Sequence, residues 1–154
     1  MVSAWRIVKR RYAHTAFDGE GARAYGGRWN GPGRPVIYVS ESRALATLEV
    51  LAGLKTSVVV PAYVLIRVDF DEALVKHVDP NDLGTDWRAS PPTSATQRIG
   101  DEWLDEATSA ALRVPSAVVP GEFNYLLNPR HSDFGTLRVG TPEELYLDPR
   151  LLPH

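Results

Sequence analysis

Along PAYVLIRVDF, residues 61–70, side chains alternate with a period of two. Tyr63, Leu65, Arg67 and Asp69 fall on one face and Val64, Ile66, Val68 and Phe70 on the other, which predicts a strand. AWRIV, residues 4–8, predicts a shorter strand with Arg6 and Val8 opposite Trp5 and Ile7, and VIYVS, residues 36–40, predicts another. The period then changes. SRALATLEVLAGL, residues 42–54, predicts a helix with Ser42 as its N-cap and Gly53 near its end. At about 100° per residue, Leu51, Ala44, Leu48, Ala52 and Leu45 form an apolar arc expected to face the core, with Glu49 about 40° beyond Leu45.

The remaining segments are less regular. Residues 9–35 are polar and glycine-rich and predict a long connection holding one short helix, ordered by its tyrosines, phenylalanine and tryptophan. Residues 93–111 predict a helix with Ile99, Trp103, Ala107 and Ala110 facing inward. LRVPSAVVPG, residues 112–121, reads as a buried strand bracketed by Pro115 and Pro120, and EFNYLLNP as the connection after it. TLRVG and LYLD are two late, short strands. Strands outnumber helices and do not alternate with them, so the expected class is α+β, with small mixed or antiparallel sheets and packed helices, in one domain over residues 1–154.

Bulk composition narrows the function mainly by exclusion. A chain of 154 residues with 44% hydrophobic and 23% charged residues has the makeup of an ordinary globular protein. A net charge of −2 gives no electrostatic reason to expect direct nucleic-acid or membrane binding. Without cysteine there is no disulfide framework, thiol nucleophile or zinc–thiolate site. Neither a signal peptide nor a membrane-spanning run is read, and a cytoplasmic location is expected.

Several motifs resolve to ordinary roles. GEGARA, residues 19–24, has dinucleotide-fingerprint spacing but lacks the buried strand that must precede it. His14, His77, His131 and His154 share no ligand spacing, so no metal site is expected. Asp69, Asp71 and Glu72 are read as capping a strand end rather than as a catalytic carboxylate pair.

Four positions carry more. In AYGGRWNGPGRP, Arg28 follows a glycine pair that removes side-chain bulk, so its guanidinium is a candidate phosphate fork, with Trp29 as the loop's anchor. Tyr38 offers a ring face on the next strand, Glu49 sits at the margin of the apolar arc, and Ser116 needs a partner if buried. Each also has a bland reading, respectively surface arginine, core aromatic, solvated helix edge and small strand filler. Composition and spacing leave that choice open.

The ordered set WRI, GGRWN, IYVS, ATLEVL, VPSAVVP and NYLLNP, from Trp5 to about Pro129, resembles the RES domain family. That resemblance implies an ADP-ribosyltransferase-like fold and the toxin of a type II toxin–antitoxin pair, acting in the cytoplasm. The implied activity is NAD+ depletion by hydrolysis or phosphorolysis of the nicotinamide–ribose bond, with no cofactor beyond NAD+ as substrate. The alternatives are protein ADP-ribosylation from the same site and a non-catalytic module that binds antitoxin or nucleotide. The implied partner is a helix-turn-helix (Xre-like) antitoxin, with the toxin a homodimer in a larger complex.

Carried over by position, the family's residues fall on Arg28, Tyr38, Glu49 and Ser116, with Arg6 and Asn124 as further substrate-binding positions. Arg6 and Arg28 would hold phosphates, Tyr38 would stack on nicotinamide, Glu49 would stabilise the oxocarbenium, and Ser116 would fix a ribose or Glu49. The resemblance does not assign Tyr12, Arg23 or Tyr25. The chemistry is self-consistent: nicotinamide leaves as a neutral ring, so one carboxylate suffices and no general acid is required.

Overall fold

The computed structural model describes residues 1–54 and 60–152. The chain begins with β1 (Val2–Lys9), a 3-10 turn over Arg10–Thr15, α1 (Glu20–Tyr25), β2 (Ile37–Ser40) and α2 (Arg43–Gly53). Next come β3 (Tyr63–Phe70), β4 (Val75–His77) and α3 (Ser94–Glu106). The last strands are β5 (Ala111–Pro115), β6 (Phe123–Leu127), β7 (Arg138–Val139) and β8 (Glu143–Leu145). The class is α+β.

The eight strands share one sheet, where small separate sheets were expected. Its order is β4-β5-β6-β2-β1-β3-β7, with β8 also pairing with β3. All pairings are antiparallel except β4 with β5. The ladders are uneven. β1 pairs with β3 from Val2↔Phe70 to Lys9↔Tyr63, and β2 pairs with β6 along all four of its residues. Between β1 and β2 the register is Trp5↔Ser40 alone. Two well-laddered halves therefore meet at a seam that opens away from one shared pair.

Apolar side chains fill both faces. One cluster, with Ala4, Ile37, Val39, Val68, Phe70, Tyr125 and Leu127, runs across the seam. Another gathers Trp29, Val36, Trp87, Trp103, Leu112, Val114 and Leu126. In β6, Leu126 belongs to one cluster and Tyr125 and Leu127 to the other, so the strand is buried on both faces.

Several expectations need correction. NYLL is a central strand rather than a connection: with both faces covered it shows no alternation to read. β4 has no counterpart in the expected elements, being three residues with two exposed. α3 stops at Glu106 because Ala107 turns left-handed at φ 52°, leaving Ala107 exposed and Ala110 buried beyond the helix. β5 ends at Pro115, placing Ser116 in the turn that follows. On α2, Leu45 and Ala46 are buried, while Ala44, Leu48 and Ala52 of the predicted arc are exposed. The helix therefore turns a different face inward, and that face contains Glu49.

Candidate active site at the β1/β2 seam

α2 starts where expected: the Ser42 side chain accepts a hydrogen bond from Leu45 N at 3.0 Å. With its start fixed and Leu45 and Ala46 turned in, Glu49 stands three and four residues further along the same face. Its carboxylate is held firmly at one oxygen. Oε1 accepts from Ser116 Oγ and from Asn124 Nδ2, each at 2.7 Å. Both donors are themselves oriented. Ser116 Oγ accepts from the backbone N–H groups of Val118 (3.1 Å) and Val119 (3.0 Å), which leaves its proton for Glu49. Asn124 Oδ1 accepts from Ser40 Oγ at 2.6 Å, which fixes the amide with its nitrogen toward Glu49. Among the described residues no hydrogen bond reaches Glu49 Oε2. Among the described residues one carboxylate oxygen is anchored and the other has no hydrogen-bond partner.

Arg6 crosses the seam beside it. Its Nε donates to Ala16 O at 2.6 Å and its Nη1 to Tyr38 O at 3.0 Å. Because β1 and β2 share one register pair, the Tyr38 carbonyl has no β1 ladder partner, and the Arg6 side chain supplies the missing donor. Nη2 makes no hydrogen bond among the described residues. Burial drives the guanidinium pKa down to about 10, against the opposing pull of Asp18. A desolvated cation with a spare donor gains strongly from an anion.

Two cavities meet at these residues. The larger, about 1030 Å³, runs from Arg6 and Glu49 past Asp18 to Tyr12, Tyr25 and Tyr63. The smaller, about 180 Å³, lies in the seam between Trp5, Tyr38, Ser40 and Asn124. Arg6, Ile7, Glu49 and Val50 line both. Arg6, Tyr38, Glu49 and Asn124 thus share one hollow, and Ser116 joins them through its bond to Glu49. Ser40 is the sequence's missed member. Its signal was available, because in IYVS it shares a strand face with Tyr38.

Arg28 is not with them. It lines neither cavity, and its Nη1 donates to Trp87 O at 2.9 Å and Ala89 O at 2.8 Å. Its own carbonyl accepts from Thr96 Oγ1 at 2.7 Å. The phosphate fork expected at Arg28 is thus replaced by a tie between the glycine loop, the segment before α3, and α3 itself. Nor do the glycines make room for a ligand. A Cβ on Gly27 would lie 2.7 Å from Tyr38 Oη, and Gly26 needs its left-handed φ of +73°. Tyr38 Oη donates to Asn30 Oδ1 (2.5 Å) and accepts from Trp29 N (3.1 Å), and burial raises its pKa. The hydroxyl locks the loop, and Tyr38 is also a lining residue of the small cavity. Trp29 anchors the loop as expected, at 2% exposure.

Other candidates keep their ordinary roles. The Asp71 side chain accepts from Ala73 N and caps a 3-10 turn, and Asp69 accepts from Ser3 Oγ. A 3-10 turn rather than a strand precedes GEGARA. Among the described residues no cluster of three or more His, Asp or Glu side chains is placed to hold a metal, and His154 lies outside those residues. No helix among them is long and apolar enough to cross a membrane.

Known proteins resemble the chain over nearly its whole length. The family model described as the RES domain matches residues 3–148. "Toxin Res" of Yersinia enterocolitica is 41% identical over 148 residues, covering 96% of this chain and 97% of that protein. The "Prs ADP-ribosylating toxin" of a Sphingobium species is 32% identical over 155 residues, covering 97% and 96%. In fold, the chain resembles a chain of the M. tuberculosis MbcT–MbcA toxin–antitoxin complex, with a TM-score of 0.78 at 23% identity over 94% of this chain and 84% of that one.

Proposed function

The chain belongs to the RES domain family, and on that premise we propose that it is a toxin that destroys NAD+ by cleaving the bond between nicotinamide and ribose. One observation carries the reading: the Glu49 carboxylate, held at Oε1 by Ser116 and Asn124, stands beside the half-buried Arg6 where two cavities meet.

In this reading Arg6 takes the pyrophosphate through its spare Nη2 donor, in the place expected of Arg28. Tyr38 borders the nicotinamide ring in the small cavity. The C1′–N bond breaks with its electron pair passing to the ring nitrogen, so nicotinamide leaves neutral and C1′ gains oxocarbenium character. Glu49 Oε2 accepts a hydrogen bond from the ribose 2′-hydroxyl and stabilises the positive charge, while the two donors on Oε1 keep the carboxylate oriented. Water or phosphate then bonds to C1′, and the proton it loses goes to solvent. The products are nicotinamide with ADP-ribose or its 1″-phosphate.

The likeness to an ADP-ribosylating toxin favours a second acceptor, a protein side chain, with the same bond cleavage. Purified protein incubated with labelled NAD+, phosphate and lysate separates the outcomes. Label in a small molecule supports hydrolysis or phosphorolysis, label on a protein band supports transfer, and undiminished NAD+ rejects both. The partner in this reading is an antitoxin. A helix-turn-helix type for it, and a homodimeric toxin within the complex, are part of the same proposal, and co-purification followed by mass measurement tests them.

A further inference from the structure

We infer that Tyr12 and Tyr25, on the rim of the large cavity, form a stacking site for the adenine end of the dinucleotide, an assignment that rests on the NAD+ reading above. The cavities differ in what they can take. A volume of about 180 Å³ falls below the roughly 300 Å³ at which small-molecule sites begin, whereas 1030 Å³ lies at the upper end of that range. With the scissile ribose at Glu49, which borders both, the small cavity has room for the departing ring and only the large one for adenosine diphosphate. The orientation of the dinucleotide follows: pyrophosphate at Arg6, adenosine outward.

Two aromatics wait along that path. Tyr25, the last residue of α1, is 88% exposed, and Tyr12, in the 3-10 turn after β1, is 50% exposed; both line the large cavity. Neither belongs to the buried core, and no hydrogen bond ties either hydroxyl to a partner among the described residues. Arg11 lies over the Tyr12 ring at 4.8 Å, steadying it with a cation. An exposed ring with a free face at the open end of a nucleotide-sized hollow is suited to stack on a purine.

Because both side chains project from the surface, Tyr12→Ala with Tyr25→Ala is compatible with folding. In the double variant KM for NAD+ rises about tenfold or more while kcat changes less than about threefold, since stacking holds the base equally in ground and transition states. Nicotinamide mononucleotide, which lacks the adenosine half, is cleaved by variant and wild type alike. The paired Phe variants keep the wild-type KM, because the ring face and not the hydroxyl is used.

ADP-ribose binding followed by calorimetry gives a readout independent of turnover. Weaker binding by the double Ala variant supports the site. Equal binding, no binding by wild type, or an unchanged KM overturns it. A wild-type protein that binds ADP-ribose through these tyrosines yet leaves NAD+ intact would reject the proposed reaction and keep the adenine site.

Discussion

Arg6 and Arg28 are both partly buried and both give Nη1 to backbone carbonyls, yet one faces a cavity and the other none. Around Arg28, Nη1 bridges Trp87 O and Ala89 O, and the arginine's own carbonyl accepts from Thr96 Oγ1, so residue 28 ties the glycine loop to α3 and the segment before it. Around Arg6 the sheet itself is incomplete, so the guanidinium mends one carbonyl and still has a nitrogen to spare. The two surroundings separate scaffold from site. An identical side chain becomes structural where it bridges two backbone segments away from either cavity, and ligand-seeking where a ladder opens and its spare donor borders a hollow.

The largest break in that contrast is on the scaffold side. A Cβ on Gly100 would lie 1.6 Å from Trp29 O, and backbone of a buried loop cannot yield by that much without displacing α3. Gly100→Ala should cost more than about 3 kcal/mol, read as a large fall in urea midpoint or failure to fold. A wild-type midpoint would mean that α3 and the glycine loop are not packed as described. Next comes the site. Glu49→Gln keeps the shape and an acceptor for Ser116 and Asn124, but turns the second oxygen into an amide donor and removes the charge facing the oxocarbenium. NAD+ cleavage should slow 10²–10³-fold, about 3–4 kcal/mol in barrier, with an unchanged melting temperature. Cleavage at the wild-type rate by folded E49Q would remove Glu49 from the chemistry. Arg28→Ala then gives the opposite pattern. It forfeits two charge-assisted bonds and should lower stability by about 2–3 kcal/mol while leaving KM for NAD+ within about twofold at permissive temperature. A selective rise in KM without loss of stability would restore Arg28 to the site.

How much of this was legible in the sequence follows the same division. The α+β class, β1, β2, β3 and α2 with its Ser42 cap are local patterns, and local patterns are written in consecutive residues. The family resemblance brought Arg6, Tyr38, Glu49, Ser116 and Asn124 onto one list, and the structure gathers them at one seam, in a fold shared with a chain of the MbcT–MbcA complex. Long-range relations were not legible. Whether Arg28 meets a ligand or the carbonyls of Trp87 and Ala89 is decided about sixty residues away. The wheel of α2 showed an apolar arc but not which side the sheet would cover, and Leu48 remains 41% exposed. NYLL gave no alternation because both of its faces are interior.

The smallest effect tests the chemistry assigned to Arg6. Burial lowers its folded pKa from the ordinary arginine range to about 10, so the charge is a cost of folding that is fully present below pH 10. Above pH 10, until the ordinary arginine range is reached, the unfolded chain holds the proton that the folded chain has shed, and this group's contribution to stability rises with pH. Ligand binding has the opposite sign. A pyrophosphate favours the protonated guanidinium, so ADP-ribose affinity should be flat with respect to this group at neutral pH and begin to fall as pH approaches and passes 10. The slope should approach one tenfold loss per pH unit above that point, and Arg6→Gln, already weakened, should lack the break. Calorimetry at constant ionic strength, with circular dichroism confirming that the fold persists, supplies the measurement. Equal pH dependence in wild type and R6Q would place the pyrophosphate elsewhere and leave Arg6, like Arg28, a brace for the backbone.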